Sequence, residues 1–457
     1  MTMTRWLGLL GLLFWTAGCA DDREPPPSFI LVSLDTVRAD HLGLYGYGRN
    51  TSPQLDAILG EGLVFDNAFS VSNNTLVAHA SLFTGLQPAA HGADPDTPLA
   101  DGYVTLAEDL QRAGYQTAAF AANGDWLSAA FGLDRGFEVF ESEHRAAPKV
   151  LKSAEAWLRR RDPARPFFLF VHLYDAHSDY GRRAYGAPPG IHGLFTAGYE
   201  GALLARRDEP KKASRYLRAA ARGEVDMSLE ELRFVEGQYD EGLFQLDRDL
   251  GPFLESLFPL VGTWLFVTAD HGEEFGEHGG FLHDQLFSET TRVPLVVVPP
   301  LDRRDEFKGA ARSDALVRIV DLRRTLLALA GLPEPEQDQG QSLLAALRGQ
   351  ESGAEAVFAK GAKGGVSVRT RDYSYFENEE TGDESGGQRL FDLRRDPAET
   401  DDLSAQPALQ GRVAAMQRLL AQQQKEDAAI RERHPTPPRV ELDPEAQDRL
   451  RSLGYGD

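Results

Sequence analysis

The sequence predicts an α/β fold, a doubly wound sheet with helices on both faces. Two observations carry this prediction: near-continuous apolar, β-rich runs recur along the chain, and helical patterns lie between them. Buried strands of parallel sheets contain such uninterrupted apolar runs. The predicted strands are residues 29–34, 167–173, 264–269 and 293–298. Ligand sites in these sheets gather at the carboxyl ends of strands, so polar residues that directly follow a strand are the first candidates for a site.

The helical patterns are bounded by turn residues. Residues 105–113 form one such pattern and lead into a strand-like segment at 115–121, and residues 229–257 carry apolar side chains at helical spacing. Beyond Ala354 the pattern changes to short strands and turns, followed by a helix at about 406–433. We therefore expect a large domain at residues 29–353, a smaller C-terminal α+β subdomain at 354–433, and a tail at 434–457.

The first twenty residues predict export. An apolar run at residues 6–15, too short to span a bilayer, follows Arg5 and ends just before a small-residue segment and Cys19. That segment resembles a bacterial lipobox, although Thr16 stands where Leu is usual. We expect a lipoprotein-type signal peptide at residues 1–18, lipidation at Cys19, a Pro-rich tether at 19–28, and a periplasmic or cell-envelope location in a bacterium. The alternative is an ordinary secretory signal that is cut nearby.

Composition excludes several classes of protein. The chain has 48 Lys and Arg against 70 Asp and Glu, a net charge of −22, which disfavours binding of nucleic acid or anionic lipid by the folded body. Membrane contact is therefore expected through the N-terminal lipid only. Because Cys19 is the single cysteine, an intramolecular disulfide and a cysteine-based zinc site are also excluded.

Basic residues are concentrated in residues 181–227 of this acidic chain. The segment favours either a solvated helical surface or a cationic lid that attracts an anionic substrate. Its arginines and lysines are Arg182, Arg183, Arg206, Arg207, Lys211, Lys212, Arg215, Arg218 and Arg222.

Potential metal ligands follow three of the predicted strands. Asp35 follows the first, His177 follows the second, and the adjacent pair Asp270 and His271 follows the third. The glycine-rich segment after this pair delivers further histidines, up to His283. A single histidine is more often a surface or core residue, but carboxylates and imidazoles repeated at strand ends indicate a metal site.

Several segments together resemble the sulfatases of the alkaline phosphatase superfamily, almost from end to end of the chain. These segments are residues 30–47, 74–85, 167–180, 269–294, 389–403 and 442–455. The resemblance implies an alkaline-phosphatase-like core around a mixed sheet, a metal at the strand ends, and a small C-terminal subdomain with an antiparallel sheet.

Departures from the sulfatase pattern bear on the mechanism. Thr75 stands where formylglycine sulfatases have Cys or Ser, so no formylglycine is expected. The sulfatase Asp-Asn metal pair is Asp270-His271 here, and an imidazole in place of an amide oxygen shifts the metal preference from calcium toward zinc or manganese. An active-site lysine of the family falls at His283.

With these departures the sequence resembles the phosphoethanolamine transferases, which use a Thr nucleophile. By that comparison Asp35, Thr75, Asp270 and His271 hold one divalent metal, and His177 and His283 bind the substrate oxyanion or a second metal. His177, His283 or His79 would carry protons near neutral pH. The alternative role for Thr75 is to cap a helix that starts near Ala78.

The leading functional hypothesis is an exported, metal-dependent hydrolase that cleaves anionic phosphate esters, or sulfate esters as the less favoured choice, through Thr75. A second hypothesis is a transferase that moves a phospho-substituent onto an envelope sugar or lipid. A third, of another class, is an inactive lipid-anchored protein that binds sulfated or phosphorylated glycans. The sequence does not name the natural substrate.

Overall fold

A computed structural model describes residues 25–178, 185, 187–206, 210–307, 311–350, 353–377 and 387–440. The predicted signal peptide, Cys19 and most of the tether lie outside the described residues, as does the segment 442–455. Of the basic segment, Arg182, Arg183 and Arg207 and the side chains of Lys211 and Lys212 are also outside them.

The described residues form the following elements. The strands are β1 Ser28–Leu34, β2 Leu63–Phe69, β3 Gln116–Ala121, β4 Val139–Ser142, β5 Phe167–Leu173, β6 Thr263–Ala269, β7 Glu274–Phe275, β8 Phe281–Leu282, β9 Leu295–Val298, β10 Arg312–Arg318, β11 Val357–Lys360, β12 Val366–Arg369, β13 Tyr373–Glu377 and β14 Arg389–Asp392. The helices are α1 Pro53–Leu59, α2 Thr75–Thr84, α3 Pro88–His91, α4 Leu106–Arg112, α5 Ala147–Arg160, α6 Pro210–Ala221, α7 Leu229–Leu257, α8 Ser288–Thr291, α9 Asp321–Leu329, α10 Leu344–Leu347 and α11 Gln410–Arg431.

The main sheet has eight strands in the order β10-β2-β9-β6-β1-β5-β3-β4. Strand β9 runs antiparallel to both its neighbours, and the other pairs are parallel. The register places Val32 of β1 opposite Val171 of β5 on one side and Val267 of β6 on the other. This mixed sheet confirms the predicted α/β fold class, and it puts the ends of β1, β5 and β6 side by side.

Helices pack in two groups around this sheet. One group contains α1, α5 and α7, and the other contains α2, α4 and α9. Helix α7 begins with a capping box, in which the Ser228 side chain accepts from the Glu231 N–H and the Glu231 carboxylate accepts from the Ser228 N–H. It ends at Leu257, two residues before Pro259, so the predicted helix 229–257 is confirmed at both ends.

Two predicted elements are shorter in the structure than the pattern indicates. Strand β9 begins at Leu295 and not at residue 293, because Pro294 has no N–H to offer the ladder. Helix α11 begins at Gln410 and not near 406, because Pro407–Leu409 forms a 3₁₀ turn first.

The C-terminal subdomain consists of the antiparallel sheet β11-β12-β13-β14 and helix α11. Its own core includes Val368, Tyr375, Leu390 and Met416. A second apolar cluster packs Phe287 of the large domain against Phe376 and Phe391, so the two parts share a buried contact. The smaller α+β subdomain is therefore confirmed, while the boundary at 353/354 stays a prediction.

Among the described residues, none of the helices combines the length and the apolar character needed to cross a membrane.

Candidate metal and nucleophile site

The carboxyl ends of β1 and β6 bring three predicted metal ligands together. One carboxylate oxygen each of Asp35 and Asp270 and one ring nitrogen of His271 lie within 4.8 Å of one another. All three side chains are buried, with at most 1% of their surface exposed. The cluster arises because β1 and β6 are adjacent parallel strands, and their C-terminal residues therefore emerge at the same edge of the sheet.

Thr75 is the first residue of α2, and its hydroxyl faces this cluster. Oγ1 lies 3.3 Å from Asp35 Oδ2 and 3.4 Å from His271 Nε2. The side chain of Asn74 caps the helix, because its Oδ1 accepts from the Val77 N–H at 3.2 Å. The alternative that Thr75 caps a helix starting near Ala78 is therefore wrong, since the helix starts at Thr75 and the capping is done by its neighbour.

Backbone contacts orient His271 toward the cluster. Nδ1 donates to the Gly272 carbonyl at 3.0 Å, which leaves Nε2 as the nitrogen that faces the cluster. Only glycine fits next in the chain, because a Cβ at position 272 would lie 2.0 Å from the Glu289 carbonyl oxygen. This close approach gives a steric reason for the Asp-His-Gly sequence.

Asp270 is fixed in the same way. Its Oδ1 accepts from the backbone N–H of His271 at 2.9 Å and from that of Thr36 at 3.3 Å. Its Oδ2 is buried and has no hydrogen-bond partner, and the same holds for Oδ1 of Asp35. Buried polar atoms without partners are costly, so these oxygens need a further positive group.

A divalent cation fits the donors present here. Burial, together with the charge of Asp270, raises the pKa of Asp35 to about 7, as expected for two carboxylates held in one desolvated site. Two carboxylates, one imidazole nitrogen and one hydroxyl oxygen form a ligand set suited to zinc or manganese.

His177 and His283 lie beside the cluster, as predicted. Their ring centroids are 5.3 Å apart, and the ring of His283 is 4.6 Å from that of His271. Burial, the nearby His271 and His177, and the charge of Arg218 lower the pKa of His283 well below its usual value. His177 stacks on Tyr174 at 4.4 Å. The structure thus gathers two further imidazoles beside His271.

His79 lies one turn beyond Thr75 on α2 and contacts the protein through both ring nitrogens. Nδ1 donates to the Thr75 carbonyl at 2.7 Å, and Nε2 is 2.9 Å from Ser33 Oγ. Its side chain is fully buried, and burial lowers its pKa to about 4. These contacts favour a role in positioning the start of α2 over the predicted role in carrying protons.

His172 is a site residue that the sequence reasoning missed. It lies on β5, is fully buried, and has its Nε2 3.3 Å from Asp35 Oδ2. Neither ring nitrogen has a hydrogen-bond partner. The available signal was a single polar side chain inside the otherwise apolar run FFLFVHL, near its carboxyl end.

Asn73 was also missed, and it connects three segments at the site. Its carbonyl accepts from His283 Nδ1 at 3.1 Å, and its Nδ2 donates to the Gln285 carbonyl at 3.2 Å. Its Oδ1 accepts from the Ala362 N–H at 3.0 Å. The segment before Thr75, the His283 loop and the C-terminal subdomain therefore meet at this residue.

The chain is similar in sequence to two family models and to known enzymes. Residues 27–332 match the family model "Sulfatase", and residues 276–426 match "N-sulphoglucosamine sulphohydrolase, C-terminal". An arylsulfatase of Clostridium perfringens is 22% identical, with 86% of this chain and 93% of the relative covered. An N-acetylglucosamine-6-O-sulfatase of Bacteroides thetaiotaomicron is 22% identical, with 90% and 89% covered.

Solved structures with the same fold include enzymes for two kinds of ester. A protein in complex with its substrate D-glucosamine-2-N,6-O-disulfate has a TM-score of 0.68 at 19% identity, and the match covers 88% of this chain and 98% of that one. The phosphonate monoester hydrolase of Agrobacterium radiobacter has a TM-score of 0.69 at 19% identity, with 88% and 96% covered.

Proposed function

Because the chain belongs to the sulfatase family of ester hydrolases, we propose that it is a metal-dependent enzyme that cleaves phosphate esters, and less readily sulfate esters, with Thr75 as nucleophile. The observation that carries this proposal is the position of the Thr75 hydroxyl. It lies 3.3 Å from a buried Asp35 oxygen and 3.4 Å from His271 Nε2, at the centre of a ligand cluster with unpartnered oxygens. Thr75 replaces the formylglycine precursor of other sulfatases, so formylglycine chemistry plays no part.

Asp35, Thr75, Asp270 and His271 would hold the cation. When bound, a divalent cation lowers the pKa of a ligating hydroxyl and offsets the negative charge of the transferring group. His271 supplies a nitrogen ligand where many sulfatases have an amide oxygen, which favours zinc or manganese over calcium.

The first chemical step transfers the phosphoryl group to the protein. Thr75 Oγ1 forms the new bond to phosphorus as the bond from phosphorus to the ester oxygen breaks, and the alcohol leaves with that oxygen. The hydroxyl proton of Thr75 faces Asp35 Oδ2 at 3.3 Å. Asp35 accepts that proton as the new bond forms, and His177 or His283 passes it on to the departing oxygen, since both imidazoles lie beside the cluster.

The second step regenerates the enzyme. Water attacks the phosphorus of phospho-Thr75 as the bond from phosphorus to Thr75 Oγ1 breaks, and one proton of the water passes through the imidazole to Oγ1. Burial keeps His283 neutral before the water attacks, because its pKa lies well below the usual value. Neutral imidazoles are suited to accepting the proton of an attacking water.

The preference for phosphoryl over sulfuryl esters rests on the nucleophile. Two structural neighbours are phosphonate monoester hydrolases, and the curated relatives named above are sulfatases. Because Thr75 stands where the sulfatases carry their formylglycine precursor, we propose phosphate and phosphonate esters first, and sulfate esters second.

We further propose that the enzyme is exported and anchored to a bacterial envelope membrane through a lipid on Cys19. The described chain enters the sheet at the amino end of β1, whereas Asp35 follows its carboxyl end. The strand has seven residues, so about 20 Å of sheet separates the tether from the cluster. An anchored enzyme would thus hold its active site on the side away from the tether.

One experiment tests the catalytic proposal directly. Wild-type enzyme reconstituted with zinc or manganese is assayed on 4-nitrophenyl esters of phosphate, phenylphosphonate and sulfate and on a bis(4-nitrophenyl) phosphodiester, beside Thr75→Ala and Thr75→Ser. We expect Thr75→Ala to lose at least ~10³-fold of activity and Thr75→Ser to retain part of it. Acid quenching should trap a phosphorylated peptide that contains Thr75.

Thr84→Ala is the matched control, because Thr84 lies at the other end of α2 and its hydroxyl bonds to the helix backbone and the following turn. Turnover that survives in Thr75→Ala would contradict the nucleophile assignment. An inactive glycan-binding protein, the hypothesis of another class, would turn over none of these esters with any metal.

A further inference from the structure

A tyrosine of helix α7 bridges the turn that follows β1. The Tyr239 hydroxyl donates to the Thr36 carbonyl at 2.8 Å and accepts from the Arg38 N–H at 2.8 Å. The side chain of Tyr239 is fully buried. A phenol can donate and accept at once, so one oxygen satisfies two backbone groups directly after the proposed metal ligand Asp35.

The backbone conformation of this turn explains why such support is needed. Thr36 has a φ of 58°, in the left-handed region that a β-branched residue rarely adopts. Within the turn, the hydrogen bond from the Val37 N–H to the Leu34 carbonyl is long, at 3.5 Å. Unfavourable conformations of this kind persist where surrounding contacts enforce them. The two hydrogen bonds of the Tyr239 hydroxyl are contacts of that type.

The conformation of Thr36 affects both carboxylates of the cluster. Asp35 precedes it in the turn, and the Thr36 N–H donates to Asp270 Oδ1 at 3.3 Å. A different φ at this residue would change the position of that N–H and of Asp35 relative to the chain that follows. Thr36 therefore links the two carboxylates through the backbone.

Tyr239 also contacts the segment that follows β6. Its ring packs against Phe275 of β7 with a centroid distance of 4.9 Å, and β7 begins shortly after His271. The next residue of the helix, Asp240, lies 2.8 Å from His41 Nδ1 and attaches α7 to the end of the turn region as well. Tyr239 is thus held between the two segments that carry the predicted ligands.

We propose that Tyr239 is a positioning residue of the metal site. Its hydroxyl holds Thr36 in the left-handed conformation, and that conformation fixes Asp35 and Asp270 relative to one another. Tyr239 acts through the backbone of Thr36 and not as a ligand. The inference rests on the proposed metal-dependent function, and it makes affinity for the cation depend on a residue of α7 that is more than 200 residues away from Asp35 in the chain.

Zinc affinity tests this role, because Tyr239→Phe removes only the hydroxyl oxygen. We expect the affinity, measured by competition with a chromophoric chelator, to fall roughly tenfold. The visible spectrum of the cobalt-loaded variant should change with the ligand geometry. Tyr115→Phe is the matched control, since Tyr115 is 1% exposed and its hydroxyl has no hydrogen-bond partner among the described residues. It should bind zinc as the wild type does.

A second substitution separates positioning from a general loss of packing. Thr36→Gly introduces the residue that adopts a positive φ without steric cost, so the Tyr239 hydroxyl should become less important. We expect Tyr239→Phe to lower zinc affinity much less in the Thr36→Gly background than in the wild type. The double variant should also show the cobalt spectrum of Thr36→Gly alone. A tyrosine that only filled the core would have the same effect in both backgrounds.

Two results would overturn the proposal. One is equal zinc affinity in Tyr239→Phe and Tyr115→Phe, and the other is an equal loss of affinity with and without Thr36→Gly. If Tyr239→Phe does not fold, urea denaturation of the double variant decides. A folded double variant supports action through Thr36, whereas failure to fold in both backgrounds assigns the hydroxyl to the fold as a whole and contradicts the proposal.

The wild type distinguishes this inference from the proposed function. A wild type that binds no divalent cation would refute the metal-dependent function, and this inference with it. Cation binding and ester turnover in the wild type, with no effect of Tyr239→Phe on affinity, would remove the positioning role alone.

Discussion

His172 Nε2 lies 3.3 Å from Asp35 Oδ2, the same oxygen that faces the Thr75 hydroxyl at 3.3 Å. Strands β5 and β1 are neighbours in the sheet, and this adjacency places the two buried side chains together. An imidazole this close to a carboxylate of the proposed metal site restricts the orientations open to that carboxylate. His172 and Thr75 therefore approach the same oxygen of Asp35.

Replacing His172 tests that support. We expect His172→Phe to bind zinc about 10–100-fold more weakly than the wild type, because Asp35 loses the imidazole nitrogen that lies 3.3 Å from its Oδ2. His172→Gln, which keeps a donor, should recover part of the affinity. Affinity is measured by competition with a chromophoric chelator, and the visible spectrum of the cobalt-loaded protein reports the ligand geometry. His144→Gln serves as control, since His144 pairs with Asp125 outside the cluster. Unchanged affinity in His172→Phe would show that His172 only fills space.

Replacing His271 should change the metal preference. His271→Asn substitutes an amide oxygen for the imidazole nitrogen, and we expect the variant to gain calcium affinity and lose zinc affinity. Metal-stripped wild type and variant are titrated with each cation, and both binding and reactivation are followed. Full reactivation of the wild type by calcium alone would contradict the predicted preference for zinc or manganese.

Removing the cap of α2 should weaken both the fold and the site. Asn74→Ala leaves the Val77 N–H without its partner, which costs about 1 kcal/mol of unfolding free energy. Asn74→Ser keeps a capping oxygen and should be close to the wild type. Urea denaturation measures the difference. Because Thr75 begins the capped turn, kcat should also fall in Asn74→Ala, and equal stability of the two variants would refute the capping role.

His91 should make the protein sensitive to acid. Burial and the nearby Lys360 and Arg431 lower the pKa of His91 from 6.5 to about 3. Between these values the unfolded chain binds a proton that the folded protein does not, so stability falls as the pH drops below about 6.5. The loss approaches ~1.4 kcal/mol per pH unit until about pH 3.

The variant His91→Gln should have a shallower loss of stability over that range, whatever its stability at neutral pH. Denaturant midpoints at several pH values give the slope, and His434→Gln, at a partly buried site just beyond the end of α11, is compared in parallel. Identical slopes in the wild type and His91→Gln would exclude His91 as the source.

The sequence determined much of the fold and the ligand set. Long apolar runs predicted β1, β5 and β6, since a strand buried on both faces has to be apolar throughout. The same patterns predicted α7 to the residue. Asp35, Asp270 and His271 were recognisable because a polar residue at the end of a buried strand has few roles other than in a site.

Tertiary structure decided which side chains meet. The order of the strands in the sheet places β5 next to β1, and only that order brings His172 to Asp35. Asn73 contacts segments more than 200 residues away in the chain, and no local pattern marks it. The start of α2 at Thr75 likewise depends on the position of α2 in the fold. So do the contacts of the two His79 ring nitrogens, one with the Thr75 carbonyl and one with Ser33 of β1. Local periodicity determines the helices and strands and where they end. The geometry of the site depends on contacts between distant segments, which form when the apolar faces of helices and of the sheet are buried together.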